Sequence, residues 1–181
     1  DYNINSLTGI EVFSNLKNLN CSYNYLTTLN VSQNINLEVL HCYSNELTTL
    51  VLPQSNSLIG LDCVGNQLTN INLSPYNAMT SLSCSNNQLS SLDLSQNVAL
   101  KWLVCSINQL SNLNLTQNVN LLNLDCRMNQ LTNLNVTQNI NLIGLICEFN
   151  SLTNLNVTQN SVLKVLDCDF NFLTNLDVTQ N

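Results

Sequence analysis

Apolar residues recur along the chain with a fixed period of 21 residues. Each period places leucine five and two residues before a cysteine, leucine five and eight residues after it, and valine or leucine ten after. Only Met79 and Ile71 depart from leucine at the leucine positions, and both are apolar. The cysteines are Cys21, Cys42, Cys63, Cys84, Cys105, Cys126, Cys147 and Cys168. This period predicts a solenoid in which each 21-residue unit, here called a rung, must stack on its neighbours to bury its apolar face.

Each rung contains the pattern Leu-x-x-Leu-x-φ-x-x-Asn twice, where φ is apolar. We call the two copies the cysteine half and the second half. Residues two apart are apolar in both, as in Leu19 with Cys21 and Leu29 with Val31, which is the period of a short strand. The sequence therefore predicts a mostly β, right-handed superhelix with a parallel sheet from the cysteine halves. A second, less regular parallel sheet or extended face is expected opposite.

The period extends over almost the whole chain, and no stretch rich in proline, glycine or charge interrupts it. We expect one domain over residues 1–181, with an N-terminal half-rung at 1–15 and eight repeats at 16–181, the last incomplete. Leu7, Ile10, Val12 and Asn15 fit that half-rung. Because the chain begins at Asp1 rather than Met, either a leader has been removed or the chain is a piece of a longer protein.

Asparagine occupies the position three residues after every cysteine, from Asn24 to Asn171. An amide can satisfy unpaired backbone groups of its own rung and the next, so we expect a structural asparagine ladder. The corresponding corner of the second half has asparagine in six of eight rungs. Ser55 and Tyr76 are the exceptions, close to Pro53 and Pro75, so the chain path is expected to be irregular there.

Composition excludes several classes of function. Four basic residues stand against 11 acidic ones, for a net charge of −7, which argues against nucleic acid as a partner. No apolar run is long enough for membrane insertion. The cysteines would stack about 4.8 Å apart with parallel side chains, so we expect a ladder of free, buried thiols rather than disulfides. One sulfur per rung cannot form a tetrahedral metal site, and we expect neither metal nor cofactor.

The repeat Leu-x-x-Leu-x-Cys-x-x-Asn-x-Leu-Thr-x-Leu-Asn/Asp-Val-x-x-Asn resembles bacterial leucine-rich repeats of the 21-residue, cysteine-ladder class, as in internalin J-like surface proteins. The resemblance covers residues 16–181. It implies a curved solenoid that is secreted or exposed on a bacterial cell surface, where it serves in protein binding, glycan binding or cell adhesion.

Specific function must lie in positions that vary between rungs, and these flank the cysteines. Residues three before, one before and one after each cysteine alternate with buried ones, so they are expected to face outward. The second half instead repeats Asn, Thr, Ser and Asp at its outward positions. Exposed aromatic and aliphatic side chains on a regular sheet favour a partner. The predicted partner-binding residues are His41, Tyr43, Trp102, Val104, Asp125, Arg127, Ile146 and Glu148. Phe149, Phe170 and Phe172, near the C-terminal end, are expected to cover an edge of the core.

The sequence does not predict an enzyme. His41 is the single histidine, and its neighbour Cys42 should point into the core, away from it. Carboxylates such as Asp125 and Glu148 would lie on an open, solvated face without the desolvation that separates pKa values. A non-catalytic binding module is therefore expected, with a structural spacer or stalk as the alternative. Ice binding by the uniform Asn and Thr columns and end-to-end self-association stay open.

Overall fold

The computed structural model describes residues 3–181. Asp1 and Tyr2, which belong to the predicted half-rung, lie outside the described residues. A short 3-10 turn at Ile10–Val12 precedes ten strands of three residues each. The strands are β1 Asn18–Asn20, β2 Thr28–Asn30, β3 Val39–His41, β4 Thr49–Val51, β5 Gly60–Asp62, β6 Ser81–Ser83, β7 Trp102–Val104, β8 Asn123–Asp125, β9 Gly144–Ile146 and β10 Val165–Asp167.

The cysteine halves form an eight-stranded parallel sheet with the order β1-β3-β5-β6-β7-β8-β9-β10. Every pairing joins residues one period apart, as in Leu19 with Leu40 and Leu145 with Leu166. Successive rungs are therefore in register, which confirms the predicted parallel sheet. Side chains of one sequence position lie in continuous columns along the solenoid.

The second halves form a much smaller sheet. Among residues 3–181 only β2 and β4 pair there, with Leu29 opposite Leu50, and a single bridge joins Asn135 to Asn156 farther along. In seven rungs an Asn or Asp oxygen nine residues after the cysteine accepts the backbone N–H two residues on, as Asn114 does from Thr116 at 3.1 Å. Each of these local bonds closes the turn that follows the Asn or Asp residue. The less regular second face is thus confirmed.

The core consists of leucine columns beside the thiol column. Leu26, Leu47 and Leu68 are fully buried, and so are their equivalents in later rungs up to Leu152. All eight cysteines are free thiols; seven are buried and Cys168 is half-buried. Burial raises the pKa of Cys21 to about 11 and that of Cys84 to about 12. The predicted ladder of neutral, buried thiols is confirmed, and the sulfurs act as small apolar side chains.

The corner after each cysteine is closed by the predicted asparagine ladder. Asn87 donates from Nδ2 to the carbonyls of Cys84 (3.1 Å) and Cys63 (3.0 Å), and its Oδ1 accepts from the Leu68 N–H (2.9 Å). The equivalent bonds recur in every rung from Asn45 to Asn171. One amide therefore satisfies backbone groups of two adjacent rungs, which explains why all eight rungs carry it.

The second corner is built from two successive turns, as in Asn118 N–H to Leu115 O (3.0 Å) and Leu121 N–H to Asn118 O (3.1 Å). Here the irregular positions are explained. Tyr76 is buried at a corner position, and its hydroxyl donates to the carbonyl of Pro53. Ser55 donates from Oγ to the Ile35 carbonyl at 2.7 Å. A tyrosine and a serine thus replace asparagine by supplying a donor to the preceding rung.

The N-terminal segment is less regular than the rungs. Leu7 packs against the core, whereas Val12 is 74% exposed and Phe13 is 58% exposed. Among residues 3–181 no helix has the length and apolar character needed to cross a bilayer.

Candidate binding face of the cysteine-half sheet

The outer face of the eight-stranded sheet carries all the predicted binding residues. The period-two alternation of each strand turns its central leucine inward and its two flanking residues outward. Trp102 is 44% exposed, and the other seven predicted residues are half-buried because side chains of adjacent rungs pack laterally on one another. The face is therefore a packed surface of varied side chains rather than a row of isolated ones.

Charged residues lie together in rungs six and seven. The Arg127 guanidinium contacts Asp125 (Nε to Oδ2, 3.4 Å) and Glu148 (Nη1 to Oε1, 3.2 Å). Asp125 also accepts the Arg127 N–H at 3.2 Å. Ile146 lies opposite Asp125 in the strand register, so an aliphatic side chain borders this ionic group. Trp102 and Val104 on the adjacent strand β7 complete a contiguous cluster with them.

Asp125 differs from the expectation of a fully solvated carboxylate. Burial raises its pKa above the usual value, and this effect exceeds the opposing influence of the backbone hydrogen bond and charge of Arg127. Lateral packing between rungs, which the alternation pattern does not reveal, causes this desolvation. The result is a partly shielded ionic group. It contains no nucleophile, since the adjacent thiol of Cys126 points into the core.

A second cluster lies near the N-terminal end of the sheet. The His41 imidazole is 3.8 Å from the carboxylate of Asp62 (Nδ1 to Oδ2), and its ring centroid is 6.5 Å from that of Tyr43. Tyr43 packs edge-to-face against Tyr23 at 4.9 Å between centroids. These rings form an amphipathic surface that can offer both apolar contact and hydrogen bonds.

The predicted residues therefore fall into two clusters separated by rungs three and four. An open depression of about 310 Å³ lies between them, lined by Val39, Gly60, Ser81 and Ser83 together with His41 and Asp62. It exists because Gly60 has no side chain in a column where Val39 and Trp102 stand on nearby rungs. The face thus has a recess flanked by aromatic and charged groups.

The strand pattern did not predict the conformation of one further column, the residues two positions after each cysteine. The residue two after every cysteine has a positive φ between 50° and 65°. Only Gly65 among them is glycine; the others are Tyr23, Ser44, Asn86, Ile107, Met128, Phe149 and Phe170. Left-handed backbone costs residues other than glycine roughly 1–2 kcal/mol, and it is unfavourable above all for a β-branched residue such as Ile107. The signal was present in the sequence, because Gly65 and Asn86 occupy this column.

The phenylalanines of this region do not cover the core. Phe149 is 44% exposed, Phe170 is 68% exposed and Phe172 is 67% exposed. The expectation that they close an edge of the core is wrong, since all three side chains are exposed; at Phe149 and Phe170 the left-handed backbone turns the side chain outward from the corner. The two rings instead stack on each other, with centroids 4.2 Å apart and planes 8° from parallel.

Comparisons with solved structures agree with this architecture. The functional domain of InlJ from Listeria monocytogenes, which includes a cysteine ladder, is 40% identical with a TM-score of 0.94 over 98% of this chain. A leucine-rich repeat protein of Leptospira interrogans is 28% identical with a TM-score of 0.74 over 93% of the chain. Internalin C2 from Listeria monocytogenes, 22% identical with a TM-score of 0.79 over 90% of the chain, shares the fold.

The matched regions are only parts of those structures. This chain spans 40% of the InlJ chain, 52% of the Leptospira chain and 74% of the internalin C2 chain. No protein-family model and no curated protein matches the sequence.

Proposed function

Because the chain belongs to the leucine-rich repeat proteins of the 21-residue, cysteine-ladder class, we propose that it is a non-catalytic binding module of an exported bacterial surface protein. The variable outer face of the cysteine-half sheet contacts a protein or a glycan. The module is secreted or displayed at the cell surface, and its partner is recognised without chemical conversion.

The contrast between the two outer faces carries this proposal. On the cysteine-half sheet the outward residues differ from rung to rung, and they include Trp102, Tyr43 and the ionic group around Arg127. On the second face, Asn-x-Thr or a close equivalent recurs, and its side chains bond mainly to one another, as Thr137 Oγ1 does to Asn135 Oδ1 at 2.7 Å. Folding accounts for the repeated residues because each makes the same local contact. It does not account for a tryptophan that stays 44% exposed.

The recess beside Gly60 and its polar border suit a ligand that presents both apolar and hydroxyl or amide groups. Aromatic residues are enriched in the centre of interfaces, where they gain most from exclusion of water, and polar groups are common at the rim. Both a peptide segment and a sugar chain have this mixed chemistry.

The test compares the wild-type chain with the double variant Trp102→Ala/Tyr43→Ala on a glycan array and in pull-downs from bacterial and host surface extracts. We expect the double variant to lose at least about tenfold in affinity for whatever the wild type retains. Its melting temperature should stay within about 3 °C, since both side chains lie outside the core.

Ile140→Ala is the matched control, because Ile140 is a large apolar side chain, 54% exposed, on another surface of the same solenoid. It should bind like the wild type. Equal binding by the wild type and the double variant would disprove the proposed face. Absence of any retained ligand would favour the alternative, a structural spacer or stalk within a larger repeat protein.

A further inference from the structure

The column of left-handed corner residues forms a surface of its own in the second part of the solenoid. Ile107, Met128, Phe149 and Phe170 follow one another on four consecutive rungs and are 42%, 47%, 44% and 68% exposed. We call these four residues the corner ridge. The first three have a rung on either side and are still exposed, so stacking does not bury them.

The corner ridge is unfavourable for folding in two ways. Its backbone lies at φ between 50° and 54°, where side chains other than those of glycine and asparagine are poorly tolerated. Its apolar side chains also remain in solvent. In rungs two to four the same column has Ser44, Gly65 and Asn86, which avoid apolar exposure, and Gly65 and Asn86 also suit this backbone. A strained and exposed apolar row in one part of the molecule is explained by contact with a partner.

The charges beside the corner ridge indicate the chemistry of that partner. Residues 121–181 contain five acidic residues against two basic ones. Arg127 is already paired with Asp125 and Glu148, whereas Asp167 and Asp169 make no ion pair within residues 3–181. Asp169 is exposed and directly precedes Phe170. The surface therefore combines aromatic faces with uncompensated negative charge.

We propose that the corner ridge, with Asp167 and Asp169 beside it, binds a basic segment of a protein partner. The aliphatic stems of arginine or lysine side chains pack on Ile107 and Met128. The cationic groups lie against the stacked rings of Phe149 and Phe170, which favour cations at their faces, and they pair with the two aspartates. The corner ridge lies outside the residues of the proposed binding face, so this inference goes beyond that function and can fail separately from it.

The test uses three fluorescent decapeptides of equal leucine content, rich in arginine, in glutamate or in serine. The arginine peptide should bind the wild-type chain, more weakly as salt is added, because exposed charge pairs are screened. Binding of the three peptides with equal affinity, or preference for the glutamate peptide, would overturn the proposal.

The decisive variant is the triple substitution Ile107→Asn/Met128→Asn/Phe149→Asn. Asparagine already occupies this column at Asn86 and tolerates the left-handed backbone, so the variant should fold at least as well as the wild type. We expect affinity for the arginine peptide to fall about tenfold or more. Trp102→Ala should leave it unchanged, which separates the corner ridge from the proposed face. Unchanged binding by the triple variant would reject the corner ridge.

Asp167→Asn/Asp169→Asn tests the charges separately. This variant should lose most of the salt dependence while keeping part of the affinity. Sedimentation analysis of the wild type and the triple variant tests whether a second copy of the chain occupies the corner ridge instead. If the wild type dimerises and the triple variant is monomeric, the corner ridge pairs with a second copy of the chain, and the basic-segment proposal is wrong.

Discussion

The cysteine half and the second half of each rung have almost the same sequence pattern but different structures. In the described part of the chain the cysteine halves pair into one eight-stranded sheet, whereas the second halves pair only in two strands and one bridge. Both corners end in asparagine, yet the bonds that the amides make differ. Asn87 uses its donors and its acceptor, whereas Asn118 donates to Leu94 (3.1 Å) and Asn97 (2.9 Å) with its Oδ1 buried and without a partner among the described residues.

This difference explains why the first corner has asparagine in every rung whereas the second corner accepts other residues. At the corner after the cysteine, loss of the amide would leave a backbone N–H unpaired and remove a donor from two cysteine carbonyls, and all eight rungs have asparagine. At the second corner only donors are needed, so Ser55 and Tyr76 can replace asparagine. A repeated residue is therefore invariant along the solenoid where its whole hydrogen-bonding capacity is used.

The largest difference between the halves should appear at alkaline pH, because the column of buried thiols in the cysteine half titrates there. Burial raises the pKa of Cys21 to about 11 and those of Cys84 and Cys147 to about 12, from an ordinary value near 9. Their contribution to stability is fully present below about pH 9, where the thiols are neutral in both states. It is lost as pH rises towards the folded values, because the unfolded chain ionises first.

At about pH 10 each buried thiol should lower the unfolding free energy by about 1.4 kcal/mol relative to neutral pH. The seven buried thiols together should lower it by an amount on the order of 10 kcal/mol. Urea unfolding followed by circular dichroism from about pH 8 to about pH 10 measures this loss. Cys84→Ala should reduce the slope of unfolding free energy against pH by about one proton, whereas Val136→Ala, in the equivalent column of the second half, should not. Equal slopes in these two variants would contradict the assignment.

Asparagine replacement should separate the two corners directly. Asn87→Ala leaves the Leu68 N–H without a partner and removes one of the two amide donors to each of the Cys63 and Cys84 carbonyls, and we expect a loss of roughly 3 kcal/mol. Asn118→Ala removes one donor from each of two carbonyls that still accept a backbone N–H, and it also removes the unpartnered oxygen, so its loss should be roughly 1 kcal/mol. Chemical denaturation of both variants checks the order. Equal losses would show that the unpaired Leu68 N–H carries no penalty.

Tyr76→Phe tests how the second corner tolerates replacement of asparagine. The hydroxyl of Tyr76 is the donor to the buried carbonyl of Pro53, and burial raises its pKa to about 12. Removing it should lower the unfolding free energy by about 1–2 kcal/mol. Tyr25→Phe, at a tyrosine that is 54% exposed, is the control and should change stability by less than about 0.5 kcal/mol. A similar small change in both variants would mean that packing alone holds Tyr76.

The smallest effect concerns the left-handed backbone of the residue two positions after each cysteine. Ile107→Asn should raise the unfolding free energy by about 1 kcal/mol, because asparagine accepts a φ of 53° more readily than a β-branched residue. Ile140→Asn, at an exposed isoleucine without positive φ, should give no such gain. Thermal unfolding of both variants measures the difference, and a loss of stability in Ile107→Asn would show that the side chain contributes more than its strain costs.

Much of the fold could be predicted because the same residue pattern recurs in all eight rungs. The register, the thiol column and the first asparagine ladder each follow from a residue that recurs every 21 positions. The positions of Trp102 and Arg127 on the outer face also follow from alternation. Their involvement in binding stays a prediction. The pairing of Arg127 with both Asp125 and Glu148 did not follow, since side-chain reach between rungs is not part of the pattern.

The sequence by itself determined that like residues stack on like, because a 21-residue rung cannot bury its leucines without an identical neighbour. Only the tertiary structure decided how exposed Ile107, Met128 and Phe149 remain. It also decided that Tyr76 reaches the carbonyl of Pro53 from the next rung. The physical reason is that column membership depends on spacing along the chain, whereas side-chain direction and hydrogen-bond satisfaction depend on backbone torsion and on contacts across rungs.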